Sequence, residues 1–333
     1  MINKLATVNG VSGNEDAVRE IILNEAEQYS DDITQDDIGN IICHKKRDNA
    51  PSIMLYAHMD EVGFIVSNVT PEGWIKFQPI GKVNSSVLLS KQVVIGSNMV
   101  RGVIAVRPKH LAKDDDGKNT SISELFIDIG ASNRQQALNH VALGDYIAFS
   151  SDYIEFGEEG IKAKALDSRV SCAVILDLMR DNYIYDMYYI FTSQEKIGYR
   201  GTQALDLATR PSLAIKIDGA ECSDFPKSPD EKSIMKVGGG ASISILDGNC
   251  VHDIEQVKNL YTYAIKHEIN AQYKDISPAK NSNNFLNLKC GGIKTVSVNF
   301  PYRYMDSPSN VASKSDIKSV KDLIGGYLKD EQI

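Results

Sequence analysis

The sequence predicts an α/β fold: one domain drawn from both ends of the chain, with a β-rich, barrel-like domain inserted between them. Three observations carry this. A chain of 333 residues exceeds what a single hydrophobic core usually serves. Its two ends alternate short apolar runs with helical patterns, the strand and helix order of an α/β sheet. From about 65 to 162 short alternating or β-branched runs dominate instead, punctuated by Gly, Pro, Asn and Asp. The predicted boundaries are 1–64 plus 163–333 for the α/β domain and 65–162 for the insert.

The elements follow in chain order. Ser12-Gly13-Asn14-Glu15 has capping-box spacing, so a helix is expected from about 14 to 29. "DDIGNIICHKK" reads as a turn and a strand. "SIMLYAHMDE" is a continuous apolar run ending abruptly in polar residues, which suits a strand buried on both faces. In the insert, "GFIVSNV", "WIKFQPI", "KQVVIG", "GVIAVR", "LFIDIG", "DYIAF" and "IKAKAL" read as strands of a barrel or sandwich, with a short helix near "NRQQALNHV". After about 165, "SRVSCAVILDLMRD", "QVKNLYTYAIKHEI" and "SDIKSVKDLIGGYLKD" are amphipathic helices. "MYYIFTS", "SLAIKID" and "TVSVNF" are buried-type strands between them.

Composition narrows the function. A net charge of -8 leaves no basic footprint for nucleic acid. Five dispersed cysteines without a C-x-x-C pair read as reduced thiols. The start "MINKLATVNGVSGNED" has no apolar signal core, and no stretch nears 18 consecutive apolar residues. A cytoplasmic protein with no membrane partner is expected. "KDDDGKNTS" at 113–121 is the one solvated polar run.

The apolar runs of the α/β portion end in polar clusters: "AHMDE", "TSQEK", "KIDGA" and "NFPYRYMDS", with "ALDSR" just before a helix. Sheets of this class bind ligands beyond the carboxyl ends of their strands. His58, Asp60, Asp167, Glu195, Asp218 and Asp306 are thereby brought toward one place. Carboxylates so close repel unless a cation joins them, and one imidazole among them suits Zn²⁺, Co²⁺ or Mn²⁺. Each residue also has a plainer reading. His58-x-Asp60 is a loop, Asp167 an N-cap, Glu195-Lys196 a solvated turn and Asp218-Gly219 a turn signal. A carboxylate pair could also serve a glycosidase, but the single Trp, Trp74, lies outside the clusters.

The chain resembles the M42 family of metallo-aminopeptidases over nearly its whole length, through "VSGNE", "YAHMDEVGFIV", "GVIAVRPKHL", "LFIDIGASN", "ALDSRVSCAVILDLM", "FTSQEKIGYRGTQ" and "PYRYMDSPSNVAS". The resemblance implies a zinc-peptidase-like α/β sandwich with a mixed central sheet, and an inserted domain used in assembly. It implies a peptide substrate and a homo-oligomer, a dimer or a dodecamer. It also implies that His58, Asp167 and Asp218 ligate a metal, that Asp60 fixes the imidazole, and that Glu195 is the general base.

The second metal site of the family is altered. Lys196 stands where a ligand Glu is usual, and Asp306 where a ligand His is usual. "KNSNN" at 280–284 replaces an expected Gly-Thr-Asp segment. A protonated lysine has no lone pair for a metal, so Lys196 is expected to supply positive charge itself, in an ion pair with Asp306 and Asp167. The expected function is a metal-dependent aminopeptidase with one divalent ion per chain. The alternative is a non-catalytic relative that binds peptides or a partner.

Overall fold

The computed structural model describes residues 1–107, 121–207, 210–222, 224–225, 235–274 and 282–330. Most of the polar run at 113–121 and the first two residues of "KNSNN" lie outside the described residues.

Parallel strands buried on both faces need apolar side chains on both, and the central runs supply them. Asp186–Thr192, Ser52–His58, Leu213–Glu221 and Thr295–Arg303 lie side by side and parallel at the middle of an eleven-stranded mixed sheet. Antiparallel strands Ile41–Lys45 and Asn310–Ser313 flank them. Helices Leu166–Leu178 and Lys314–Asp330 pack on the sheet and on each other. Ile53, Leu55, Ile175, Ile215, Val298 and Leu323 fill the core between them.

A second architecture interrupts the first. Strands Gly63–Val69, Ile75–Ile80, Phe126–Asp128, Val100–Ala105, Gln92–Ile95 and Tyr146–Phe149 close into a barrel in that order. Alternate side chains, among them Phe64, Phe77, Ile104, Ile127 and Phe149, point inward and form a core separate from that of the large sheet.

Two expectations are corrected. Strands Ile154–Phe156 and Gly160–Ala163, counted with the insert by the boundary at 162, form a hairpin that pairs with Asn310–Ser313 at the edge of the large sheet. Their alternating texture matched the barrel runs, and alternation does not say which sheet a strand joins. The capping box at Ser12 does not form. The helix runs Asp16–Ala26 and has no side-chain cap. The Ser12 hydroxyl instead donates to the buried Asp60, and Glu15 accepts from the N–H groups of Gly13 and Gln194.

Candidate active site

The four central strands point the same way, so their carboxyl ends deliver side chains to one edge. His58 is the last residue of its strand. Glu195 and Lys196 follow the strand that ends at Thr192. Asp218 lies near the end of Leu213–Glu221, and Asp306 follows Thr295–Arg303. Asp167 arrives from the first turn of the Leu166–Leu178 helix. It is not that helix's N-cap: Ala165 holds the place in a left-handed conformation with φ 52°, and Asn310 Oδ1 accepts the Leu166 N–H. Gln194 and Asp306 are also left-handed without being glycine, with φ 54° each. Such strained positions persist where surrounding structure enforces them, and here they aim functional side chains. The helix and the Asp218 strand approach closely because Gly219 has no Cβ; one added there would lie 2.8 Å from Asp167 Cα.

Asp60 organises the site from beneath. Its Oδ1 accepts the N–H of Glu195 at 2.9 Å, and its Oδ2 accepts the N–H of Lys196 at 2.9 Å. His58 Nδ1 lies 3.2 Å from Asp60 Oδ1 and 3.1 Å from its carbonyl. This contact turns Nε2 into the cleft, as a carboxylate behind a ligand histidine does. Asp60 is fully buried. Burial opposes its charge, but hydrogen bonds from His58, Ser12 and Lys196 hold its carboxyl down at about 2.

His58 Nε2 stands 3.8 Å from Asp167 Oδ2 and 3.7 Å from Asp218 Oδ1. One donor atom from each of the three lies within 4.8 Å of the others. Bonds of about 2.1 Å to a tetrahedral ion would separate ligand atoms by about 3.4 Å, so this triad fits one divalent ion with small adjustment. Burial alone would lower the pKa of His58, yet contacts with Asp218 and Asp60 push it up to about 10. Metal binding would therefore release a proton from the imidazole.

The second half of the site does not fit a metal. Lys196 Nζ lies 2.6 Å from Asp167 Oδ2 and 3.0 Å from Asp306 Oδ1. The ion pair expected from the sequence is thus present, and an ammonium fills the space between the two carboxylates. The adjoining cavity, lined also by Lys164 and Asn310, is about 10 Å³, room for about one water molecule. Burial opposes the charge of Lys196, but Asp167 and Asp306 more than offset this and keep its pKa well above the usual lysine value.

One residue was not foreseen. Lys216 Nζ is 2.7 Å from Glu195 Oε1 and 2.7 Å from Asp218 Oδ2, with the side chain 2% exposed. The signal was a lysine inside the apolar run "SLAIKID", two residues before Asp218 and therefore on the same face of the strand. Glu195 Oε2 is left buried with no hydrogen-bond partner.

The family model described as M42 glutamyl aminopeptidase matches residues 39–323. A relative from Acetivibrio thermocellus that bears an aminopeptidase name is 32% identical over 97% of this chain and 96% of its own. A solved TET aminopeptidase from a marine sediment Thaumarchaeota archaeon is 26% identical, with TM-score 0.95 over 100% of this chain and 96% of that one. The Pyrococcus horikoshii TET1 peptidase, described as assembling into a tetrahedron or a large octahedral shell, is 24% identical, with TM-score 0.86 over 98% of each chain.

Proposed function

The chain belongs to the M42 glutamyl aminopeptidase family, and from that premise we propose that it removes N-terminal residues from peptides with one divalent metal ion per chain. The observation that carries this is the convergence of His58 Nε2, Asp167 Oδ2 and Asp218 Oδ1 beside Glu195, a carboxylate with one oxygen unengaged.

The ammonium of Lys196, standing between Asp167 and Asp306, supports a single ion. Asp167 and Asp306 face the ammonium of Lys196, Glu195 and Asp218 face that of Lys216, and Asp60 lies behind them against His58 and the backbone of Glu195 and Lys196. With a neutral imidazole these five carboxylates and two ammonium groups leave a net negative site, which attracts a divalent ion. When bound, the ion supplies Lewis acidity to the scissile carbonyl and the attacking water. The protein does the rest. Asp60 orients His58 and the backbone that carries Glu195. Oε2 of Glu195 accepts the proton of the attacking water and returns it to the leaving amine. Lys196 keeps Asp167 and Asp306 from repelling each other.

A non-catalytic relative is the weaker reading, because the base and the first triad are both retained. The glycosidase reading falls with the family assignment. Elemental analysis of purified protein beside hydrolysis of a panel of aminoacyl substrates tests the proposal. One ion per chain and chelator-sensitive hydrolysis are expected. Glu195→Gln should lower kcat by about 10²–10⁴ and keep the ion. Two tightly held ions, or hydrolysis undiminished by chelation, would overturn it.

We also infer a homo-oligomer, from the likeness to proteins described as shells and from exposed apolar side chains such as Val103, Leu143 and Ile265. Among the described residues no helix is long and apolar enough to cross a membrane.

A further inference from the structure

A buried lysine is costly unless carboxylates surround it, and Lys216 has two. It sits in the middle of the Leu213–Glu221 strand, where Ile215 and Ile217 turn to the opposite face and enter the main core. Lys216 and Asp218 share the other face by the pleat of the strand. The register places Lys216 between Tyr56 on one neighbouring strand and Ser297 on the other. With its backbone fixed in a central parallel strand, Lys216 reaches, among the described residues, the two carboxylates of Glu195 and Asp218 at its tip.

Those two contacts fall on different parts of the site. One engages Oδ2 of Asp218, while Oδ1 of the same carboxylate faces His58 Nε2. The other engages Oε1 of Glu195, while Oε2 is unpartnered. A single ammonium therefore takes one oxygen from the metal ligand and one from the base.

We propose that Lys216 is a positioning residue that restricts Asp218 to one-oxygen ligation, weakens the hold of the site on its ion, and leaves Oε2 as the only oxygen of Glu195 open to the attacking water. The proposal rests on the one-metal reading above and adds to it an internal cation that competes with the metal for Asp218. Lys196 bears on a different ligand, since its ammonium lies 2.6 Å from Asp167 Oδ2 and 3.0 Å from Asp306 Oδ1, whereas Lys216 holds Asp218 and the base Glu195. The ammonium of Lys216 draws electron density from Asp218 and repels an arriving cation, so the ion enters a site already partly neutralised.

The test uses the full chain and Zn²⁺ or Co²⁺ as the probe, with affinity measured by competition against a chelator and folding monitored by thermal unfolding. Lys216→Met keeps the length of the side chain and removes its charge. The ion should then bind at least about tenfold tighter, the size of effect that groups behind metal ligands exert. The same variant should lose kcat with KM little changed, because Glu195 is no longer held. Lys216→Arg should return both values toward the parent. If Lys216→Met does not fold, Lys216→Gln repeats the measurement with a neutral amide in place of the ammonium. A parent that binds one ion, with variants of equal affinity and equal kcat, overturns the role of Lys216 and leaves the one-metal reading standing. A parent without an ion, beside a variant that binds one, supports the competition and overturns the one-metal reading. No binding by either overturns both.

Discussion

Lys196 shows how much one side chain decides at this site. Its ammonium touches Asp167 and Asp306, and its side chain is 16% exposed, so the pair is mostly withdrawn from water. Breaking a fully buried ion pair costs about 3–5 kcal/mol, because a charge is left uncompensated. The residual exposure lowers this, and Lys196→Ala should destabilise the metal-free protein by about 2 kcal/mol in urea unfolding. Added divalent metal should restore part of the loss in the variant, since an ion can then take the vacated place. Unchanged stability would mean that the two carboxylates are hydrated and need no partner. The sequence made Lys196 and Asp306 legible together because each departs from a motif whose chemistry is known, and the two departures compensate each other. Lys216 was not legible in that way. It lies inside an apolar run where no ligand position was expected, and only the folded structure brings its ammonium to Glu195.

At the scale of elements, the loop that carries Asp306 is anchored by the end of the strand before it. Arg303, the last residue of Thr295–Arg303, donates from Nε at 2.7 Å and from Nη2 at 2.6 Å to the two oxygens of Asp224. The guanidinium beside it holds the Asp224 carboxyl at about 2, despite an opposing contribution from burial. The folded value lies below the unfolded value of 3.8, so this stabilisation is fully present above about pH 4 and is lost as pH falls through about 2. That lowering is worth at most about 2.5 kcal/mol, and partial solvent screening of the pair brings it to about 1 kcal/mol. Asp224→Asn should therefore unfold at lower urea than the parent near neutral pH, and the gap should close toward pH 2. A gap that stays constant with pH would assign the loss to the hydrogen bonds of Asp224 alone. Most elements were legible because their periods are clear: the central strands are mainly apolar runs, and the helices Ile254–Lys266 and Lys314–Asp330 each have one apolar face. The short strands Ala241–Ile243 and Ala271–Tyr273 were not, since three residues carry too little pattern to separate from a loop. Ser12 matched a capping box in spacing, but the buried Asp60, 48 residues away, was the stronger partner for its hydroxyl.

At the scale of the molecule, the barrel is an insertion whose two ends meet. Its entry strand Gly63–Val69 and its exit strand Tyr146–Phe149 are antiparallel neighbours, with Phe64 opposite Ile147 and Ile65 opposite Tyr146. Paired positions in such a ladder lie about 5 Å apart, so a few residues can close the gap left by removing everything between them. The barrel has its own apolar core, and the central strands of the large sheet pair without it. Excising residues 63–149 in favour of a short Gly/Ser linker should therefore leave an α/β remainder that unfolds cooperatively in urea. Its stability should be lower, because Val62 and the segment around Val11 lose neighbours at the junction. If the barrel carries the assembly surface, the remainder should be monomeric by light scattering while the full chain is larger. The proposed metal ligands His58, Asp167 and Asp218 all lie outside the excised segment, so an ion should still bind. Loss of cooperative unfolding would show that the barrel is part of a single folding unit. An oligomer of unchanged subunit number would place the assembly surface on the α/β domain, with exposed Ile265 and Val251 the first side chains to substitute.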